Sequence, residues 1–337
     1  MYRDFFIALI SLSLMSFPAC ADVLKEIKDR GFLKCGINVG VVGFSELKSN
    51  GKWEGFDVDF CRTLASTIFN DPDRIQFSPM NAKERFIALT SGEIDVLSRN
   101  TSWNLRRETE QGIAFRPITY YDGQGIMVNK RSQVSSISQL DGATVCVQAG
   151  TTTESTLADY FRSHAMSFEP VVLDNIEEVD RAYYNGRCDA YTGDKSALYP
   201  VRLNAPNPSE HVILNETISK EPLGPSVRRD FTWFNVVSWA HYAQVYAEEL
   251  GITQKNVDQM LGSKNPEIRR FLGIDKSSKI GETLGLKNDW AYKIIKHVGN
   301  YGEVFDRNLG SKSLLKIPRG HNALWSKGGL MYSPPIR

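Results

Sequence analysis

Hydrophobic positions in the first part of the chain follow two spacings in turn, one typical of strands and one typical of helices. Short apolar runs predict strands at residues 32–39, 75–79 and 92–97, and helical spacing predicts helices at 61–69 and 83–90. Such alternation is typical of an α/β domain with a parallel sheet. Ligands of these sheets bind beyond the carboxyl ends of the strands, so the polar residues that follow each strand are candidates for a site.

The same alternation begins again near residue 134, and it predicts a second α/β unit. Its predicted strands and helices are, in order, 143–147, 155–162, 168–173, 176–184, 186–191 and 195–203. Further helical segments are predicted at 232–250, 256–261, 266–272 and 290–307, the last interrupted near Gly299. The chain of 337 residues is long enough for two compact domains.

The N-terminus has the pattern of a signal peptide. Arg3 supplies a positive charge, residues 5–17 form an apolar run too short to span a bilayer comfortably, and residues 19–21 form a small-x-small cleavage site. We predict a signal peptide at residues 1–21 and export of the remaining chain to the periplasm. Lipid modification of Cys20 is the second interpretation, since residues 17–18 match that signal poorly.

Export changes the interpretation of the remaining cysteines, which are Cys35, Cys61, Cys146 and Cys188. An even number of cysteines in an oxidising compartment predicts two disulfides, for which three pairings are conceivable. Pairing in chain order is favoured because each bond then stays inside one predicted domain. Buried free thiols are the alternative.

Charge and composition exclude several functions. A net charge of +1 provides no large field for nucleic acid or an anionic membrane. The chain has no CxxC pair, and we expect neither a metal nor a cofactor. No Ser/His/Asp arrangement is evident, so we expect no catalytic residue. The histidines lie away from the predicted strand ends: His164, His211, His241, His297 and His321.

Residues 98–107 follow a predicted strand and contain the chemistry of an anion receptor. Asn104 is placed to cap a short helix, which puts Arg107 in its first turn. Free backbone N–H groups and a guanidinium group at a helix N-terminus favour a carboxylate. In the second unit, Asp194 lies at a comparable strand end, where a simple helix N-cap is the alternative interpretation.

Several motifs occur in the order and spacing of polar amino-acid-binding proteins of ABC transporters (family 3), over about the whole mature chain. They include GFDVD at 55–59, GEID at 92–95, QAGTT at 148–152 and GRCDA at 186–190. Longer motifs resemble the general L-amino acid-binding periplasmic subfamily: SRNTSW at 98–103, YYDGQG at 120–125, SKEPLGP at 219–225, NYGEVF at 300–305 and ALWSKGGL at 323–330.

This resemblance implies an α/β, two-lobed periplasmic binding protein fold of type II. Each lobe would have a central, mostly parallel sheet flanked by helices. Lobe 1 would comprise residues 22–122 plus 226–337, including a C-terminal helical extension, and lobe 2 residues 123–225. Two crossings near 122–125 and 219–224 would form the hinge, and we expect a monomer that works with membrane permease subunits.

The resemblance also implies roles for individual residues. Arg107 matches the arginine that pairs with the α-carboxylate of an amino acid, and Thr152 matches a second donor to that carboxylate. Asp194 matches the carboxylate that receives the α-ammonium group. Ser102 matches a hydroxyl acceptor for this ammonium group, and Asn100 lies where a backbone carbonyl contributes.

Two further expectations concern specificity and the competing class of protein. Residues 41–42, both valine, stand where relatives specific for cationic amino acids carry an aromatic residue, which fits a broad pocket for L-amino acids. The alternative function is a periplasmic enzyme on the same fold, such as a cyclohexadienyl/arogenate-type dehydratase. Among the arginines near the turn, Arg99 and Arg106 are interpreted as solvated or structural. For Glu46 and Glu221 there are two interpretations, a place at a cleft and a surface charge, and the surface charge is favoured because most such carboxylates are solvated.

Overall fold

Two five-stranded sheets form the centre of the computed structural model, which describes residues 22–275 and 277–337. The predicted signal peptide at residues 1–21, with Cys20, lies outside the described residues. We call the half built on the first sheet lobe 1 and the half built on the second sheet lobe 2.

Helices and strands alternate through most of the chain. The helices are α1 (Val23–Arg30), α2 (Phe56–Phe69), α3 (Arg85–Ser91), α4 (Leu105–Glu110), α5 (Thr152–Ser163), α6 (Ile176–Tyr184), α7 (Lys195–Asn204), α8 (Phe231–Glu249), α9 (Val257–Met260), α10 (Pro266–Phe271), α11 (Ile280–Thr283), α12 (Trp290–His297) and α13 (Tyr301–Asn308). The strands are β1 (Leu33–Asn38), β2 (Glu46–Leu47), β3 (Trp53–Glu54), β4 (Ile75–Met80), β5 (Val96–Leu97), β6 (Ile113–Phe115), β7 (Tyr120–Asp122), β8 (Gln124–Asn129), β9 (Ala143–Gln148), β10 (Phe168–Leu173), β11 (Ala190–Asp194), β12 (His211–Ile213), β13 (Glu221–Leu223) and β14 (Ser226–Arg228).

The two large sheets have corresponding topologies. The strand order is β4-β1-β5-β14-β6 in lobe 1 and β10-β9-β11-β8-β12 in lobe 2. In each sheet the first three strands are parallel and the other two pairings are antiparallel. Four of the five strands in each sheet therefore run in the same direction, as predicted for mostly parallel sheets, and one strand of each, β14 or β8, is reversed. The reason is that β8 and β14 enter directly from the crossings between the lobes, without the crossover helix that parallel pairing needs.

Two strands connect the lobes and pair with each other. Strands β7 and β13 are antiparallel, with Asp122 opposite Glu221. The C-terminal segment braces this pair: Asn322 Oδ1 accepts the Tyr121 N–H at 2.7 Å, and its Nδ2 donates to the Tyr121 carbonyl at 3.1 Å. The Tyr301 hydroxyl donates to the Thr119 carbonyl at 2.9 Å, so the C-terminal extension packs against the start of the crossing.

The predicted elements are present, but two strands differ in their bounds. The strand predicted at 92–97 is reduced to Val96–Leu97, because Gly92 ends α3 in the left-handed conformation (φ +81°). The strand predicted at 186–191 begins only at Ala190, since Gly186 has φ +72° and forms the turn after α6. In both cases a glycine needed for a tight turn was assigned to the strand that follows it.

Each lobe contains one disulfide, and the chain-order pairing is confirmed. Cys35 on β1 bonds Cys61 on α2, with their Cα atoms 6.3 Å apart. Cys146 on β9 bonds Cys188, with their Cα atoms 5.6 Å apart. Each bond therefore ties a central strand to a segment of the same lobe.

None of the helices within residues 22–275 and 277–337 combines the length and the apolar character needed to cross a membrane.

Candidate functional site

A cavity that is partly open to solvent lies between the two lobes. It is bounded by residues that follow strands of both large sheets, as expected for α/β sheets. All five residues predicted to bind a ligand line this cavity: Asn100, Ser102, Arg107, Thr152 and Asp194. The first three belong to lobe 1 and the last two to lobe 2, so one cavity unites groups that are distant in sequence.

Arg107 is oriented by the start of α4, as its sequence predicts. Asn104 is the N-cap, and its side chain accepts the backbone N–H of Arg107 at 2.9 Å. The guanidinium Nη1 donates to the Ser102 carbonyl at 2.8 Å, and the guanidinium carbon lies 5.4 Å from the centre of the Phe86 ring. Burial lowers the pKa of Arg107, while Glu221 and Asp194 act in the opposite direction. Backbone and ring contacts thus fix this cation at the cavity.

Asn100 and Ser102 stand on a turn that a buried carboxylate holds in shape. Asn100 has a left-handed backbone (φ +32°), and its N–H donates to Asp57 Oδ2 at 2.7 Å. The Ser98 hydroxyl lies 3.3 Å from Asp57 Oδ1. Burial raises the pKa of Asp57 to about 7, although these hydrogen bonds act against the shift. Asp57 belongs to the GFDVD motif, which explains how that motif supports the site without lining it.

Thr152 joins the two walls of the cavity. It is the first residue of α5, where backbone N–H groups lack partners within the helix. Its hydroxyl lies 3.4 Å from the Ser102 hydroxyl across the cleft and donates to Glu221 Oε2 at 3.0 Å. Glu221, predicted to be a surface charge, is 3 % exposed and also accepts from Ser219 at 2.5 Å. The favoured interpretation of Glu221 as a surface charge is therefore wrong, because β13 turns this side chain inward, toward Thr152 of lobe 2.

Asp194 occupies the N-cap position of α7, but its side chain makes no capping hydrogen bond. The capping alternative is therefore not realised, and the carboxylate lines the cavity instead. The helix receives its cap from the crossing strand, where Asp122 accepts the backbone N–H of Ser196 at 3.2 Å and its hydroxyl at 2.5 Å. Burial raises the pKa of Asp194 well above its ordinary value, and Asp122 and Glu221 raise it further.

Two arginines of the cavity were missed or misinterpreted. Arg99, interpreted as solvated or structural, is not solvated: only 3 % of its surface is exposed, and it lines the cavity. Its Nε donates to the Met80 carbonyl at 3.0 Å, which is a structural contact. Arg85, also a lining residue, is 2 % exposed. A signal for Arg85 existed, since it lies four residues before the buried Leu89 and shares its face of α3. Arg106, in contrast, is solvated as predicted and pairs with Glu110 at 2.7 Å.

On the lobe 2 side the cavity continues beyond the predicted residues. Ile176, Asp180, Tyr191 and Asn204 line this extension. The Tyr191 hydroxyl donates to Asp180 Oδ1 at 2.9 Å, and burial raises the pKa of Asp180 to about 6. No sequence motif pointed to this region, because its residues come from three different elements. Val41 and Val42 also line the cavity, which agrees with their predicted place in the pocket.

The cavity lies between two lobes, with guanidinium groups on one wall and a carboxylate with hydroxyls on the other. Such a cavity is typical of a receptor for a small zwitterionic solute. Comparison with known families agrees with this class. The chain belongs to the bacterial extracellular solute-binding proteins, family 3, whose sequence profile matches residues 33–317. The predicted resemblance is therefore confirmed, and so is the two-lobed fold.

Individual relatives match over nearly the full length. The chain is 57 % identical to the general L-amino acid-binding periplasmic protein AapJ of Rhizobium johnstonii, over 97 % of this chain and 96 % of the relative. It is 46 % identical to the glutamate/glutamine/aspartate/asparagine-binding protein BztA of Rhodobacter capsulatus, over 99 % and 98 %. A solved periplasmic binding protein of an ABC transporter from Brucella ovis, with glutathione bound, superposes with a TM-score of 0.93 at 56 % identity, covering 94 % of this chain and all of that chain.

Proposed function

We propose that this protein is the periplasmic substrate-binding subunit of an ABC importer for L-amino acids. The observation that carries the proposal is the placement of Arg107 and Asp194 on opposite walls of one buried cavity. A free amino acid has one carboxylate and one ammonium group on the same carbon atom. Only a site with fixed charges of both signs satisfies both groups once water is expelled.

In the proposed complex, Arg107 and Thr152 bind the α-carboxylate from the two lobes. Asp194 receives the α-ammonium group, together with the Ser102 hydroxyl and the backbone carbonyl of Asn100. The 3.4 Å approach of the Ser102 and Thr152 hydroxyls supports this assignment, because it brings both sets of groups within reach of one small ligand. Closure on the ligand would create the surface that the membrane permease recognises.

The proposed hinge is the antiparallel pair β7 and β13. Lobe 1 then comprises residues 22–122 plus 226–337, and lobe 2 comprises residues 123–225. The return of β14 to the lobe 1 sheet supports this division. We further propose that the protein works as a monomer, since each of the groups assigned to the ligand comes from one chain.

The enzyme alternative is not favoured. The family and the close relatives are binding proteins of transport systems, and they lend no support to a dehydratase. The valines at the entrance fit a broad preference among side chains, in agreement with the description of the Rhizobium relative as a general L-amino acid-binding protein.

Glutathione is a second candidate ligand, supported by the Brucella ovis protein and by the extension of the cavity toward Asp180 and Asn204. The γ-glutamyl end of glutathione is itself an α-amino acid, with a free carboxylate and a free ammonium group. It would occupy the same groups as an amino acid, and the rest of the tripeptide would need the additional space.

Isothermal titration calorimetry of the mature protein with the common L-amino acids and glutathione tests both candidates. We expect affinities in the micromolar range or tighter for several L-amino acids, which corresponds to about 8 kcal/mol or more of binding free energy. Mass spectrometry of the same mixtures should show each ligand unchanged. Absence of heat with every L-amino acid would contradict the main proposal, and product formation would favour an enzyme.

A further inference from the structure

We infer that lobe 1 carries a second binding site, a groove beside the start of crossing strand β7, which takes a small aromatic carboxylate. Its lining residues include Trp103, Arg116, Tyr121, His241, Tyr242 and Tyr332. The groove and the cavity between the lobes have no lining residue in common. The site is therefore separate from the proposed amino-acid site, and the inference does not depend on the proposed function.

A buried histidine with an unused ring is the first sign of a ligand. His241 on α8 is 3 % exposed and lines the groove. Within the described residues, three other histidine rings make hydrogen bonds, whereas the ring of His241 makes none. Burial lowers the pKa of His241 to about 3, so its neutral ring offers one N–H donor and one nitrogen acceptor. A buried polar group without a partner is costly, and a ligand hydroxyl in the groove would satisfy it.

Arg116 supplies the positive charge of the groove. Its guanidinium carbon lies 5.8 Å from the centre of the Trp103 ring and 5.8 Å from the centre of the Phe234 ring. Trp103 is itself held in place, since its Nε1 donates to Glu108 Oε2 at 2.7 Å. No carboxylate in the described part of the chain forms an ion pair with Arg116 within 4.0 Å. Two rings thus position this cation, and its charge remains available to a ligand carboxylate.

Two tyrosine hydroxyls lie near this cation. Burial raises the pKa of Tyr242, and Arg116 acts in the opposite direction, so the two groups are close together. Burial also raises the pKa of Tyr121, and Tyr242 raises it further. Neither hydroxyl has a hydrogen-bond partner among residues 22–275 and 277–337, whereas several other tyrosine hydroxyls do. The groove therefore combines a guanidinium group with free hydroxyl donors, which favours an anion.

The rim of the groove is apolar and partly aromatic. Leu330 and Tyr332 line it and are 50 % and 59 % exposed. Trp325 packs edge-on against Tyr332, with the ring centres 5.7 Å apart. Exposed rings of this kind favour an aromatic ligand through stacked or edge-to-face contacts.

An aromatic carboxylate with a hydroxyl on its ring matches these groups. The aromatic ring would contact the rim, the carboxylate would pair with Arg116, and the hydroxyl would bond the ring of His241. All the residues involved belong to lobe 1 or to the start of β7. We therefore expect the site to be present whether or not the cavity between the lobes is occupied.

Calorimetry of the mature protein with 4-hydroxybenzoate tests the inference. We expect one molecule to bind with a Kd below about 1 mM, a realistic strength for a ligand of this size. Arg116→Met keeps a side chain of similar length without the charge and should weaken binding at least about tenfold. Methyl 4-hydroxybenzoate, the neutral ester, should differ less than about threefold between wild type and Arg116→Met. Arg106→Met is the matched control, because Arg106 is exposed and lines neither pocket.

Arg107→Ala shows which of the two sites holds the ligand. This variant removes a cation of the cavity between the lobes, so 4-hydroxybenzoate should bind it as tightly as it binds the wild type. Loss of binding in Arg107→Ala would place the ligand in that cavity and overturn the inference. Absence of binding to the wild type up to about 1 mM, or unchanged binding to Arg116→Met, would also overturn it.

A comparison on the wild-type protein replaces the variant if Arg116→Met does not fold, as judged by circular dichroism. At least about tenfold tighter binding of 4-hydroxybenzoate than of its methyl ester then supports the inference, and equal binding overturns it. The proposed function fails on a different result, which is that no L-amino acid binds to the wild type.

Discussion

The two walls of the ligand cavity differ in the sign and in the chemistry of their charges. The lobe 1 wall carries three guanidinium groups, those of Arg85, Arg99 and Arg107. The lobe 2 wall carries hydroxyls and two carboxylates, those of Asp180 and Asp194. Guanidinium groups stay charged over the whole physiological range, whereas buried carboxylates with raised pKa values can change their charge within it.

Under the proposed function, this separation gives the ligand a role in stabilising the closed form. When the lobes are apart, water solvates the charges of each wall. Closure without a ligand removes that water, and the structure shows no ion pair between Arg107 and a carboxylate within the described residues to compensate. A zwitterion supplies the missing partner on each side, so it binds the closed form more strongly than the open form.

The crossing strands place two more carboxylates behind the lobe 2 wall. Asp122 and Glu221 face each other in register, and each holds one element that carries a ligand-binding residue. Asp122 caps α7, next to Asp194, and Glu221 accepts from Thr152. Burial raises the pKa of Asp122 to about 6. The crossing strands therefore hold two elements of lobe 2 in place, and their carboxylates add to the effect of burial in raising the pKa of Asp194.

The largest predicted effect is that of Arg107→Ala, which removes the permanent charge opposite the ligand carboxylate. We expect affinity for every L-amino acid to fall about 1000-fold, because a buried charge loses its partner at a cost of about 3–5 kcal/mol. Calorimetry or ligand-induced tryptophan fluorescence measures the loss. Arg106→Ala, one residue earlier and 83 % exposed in its side chain, serves as the control. Retained affinity in Arg107→Ala would refute the assignment of the carboxylate site.

The two walls also differ in how far their residues could be predicted from the sequence. Helical and strand periodicity predicted both α/β units, and the motifs located Arg107 and Asp194 in one site. Arg85 and Arg99 were not recognised, because a charged residue beside a turn or on a short helix is usually solvated. Arg85 donates to the Thr101 hydroxyl and Arg99 to the Met80 carbonyl, so their burial depends on tertiary contacts that local patterns do not record.

The same limit applies to Glu221 and to the extension near Asp180. Each owes its environment to elements that are far apart in sequence: Glu221 to the contact with Thr152, and Asp180 to the hydrogen bond from Tyr191. The single reversed strand of each sheet was not predicted, for a related reason. Alternation of strands and helices predicts parallel pairing, but it does not reveal that β8 and β14 enter from the crossings.

Asp194→Asn should have the next largest effect. We expect affinity to fall about 100-fold, since the amide keeps an oxygen for the α-ammonium group but loses the negative charge. The loss should be the same for L-alanine and L-glutamate, because both have the same α-ammonium group. If the loss were smaller than about threefold, within the range of an exposed ion pair, the lobe 2 wall would not be the ammonium site.

Binding should also depend on pH through the lobe 2 wall. Asp194 has a raised pKa in the free protein, and the ligand ammonium group favours its ionised form, so binding lowers that pKa. Affinity therefore reaches its highest value at pH values above the raised pKa that Asp194 has in the free protein. It falls on acidification below that value, by at most about tenfold per pH unit for one proton.

Calorimetry between about pH 8 and about pH 5, in buffers of different ionisation enthalpy, measures this proton release. Asp194→Asn should remove most of the dependence, whereas Arg106→Ala, at an exposed arginine outside the cavity, should leave it unchanged. A wild-type affinity that stays constant over this range would show that Asp194 is already fully ionised without a ligand.

The variant with the smallest expected effect on affinity, Glu221→Gln, distinguishes a structural role of Glu221 from an electrostatic one. Glu221→Gln keeps an oxygen to accept from Thr152 but removes a negative charge that raises the pKa of Asp194. We expect affinity at about pH 8 to change less than about threefold, because a neutral hydrogen bond replaces a charged one of similar geometry. The acid limb of the profile, which is the pH range where affinity falls on acidification, should nevertheless shift to lower pH, since Asp194 then ionises more easily.

Glu46→Gln is the matched control, because Glu46 pairs with Lys48 at 2.6 Å and does not line the ligand cavity. If the acid limb did not shift in Glu221→Gln, the only role of Glu221 would be to position Thr152. Burial and Asp122 would then account for the raised pKa of Asp194.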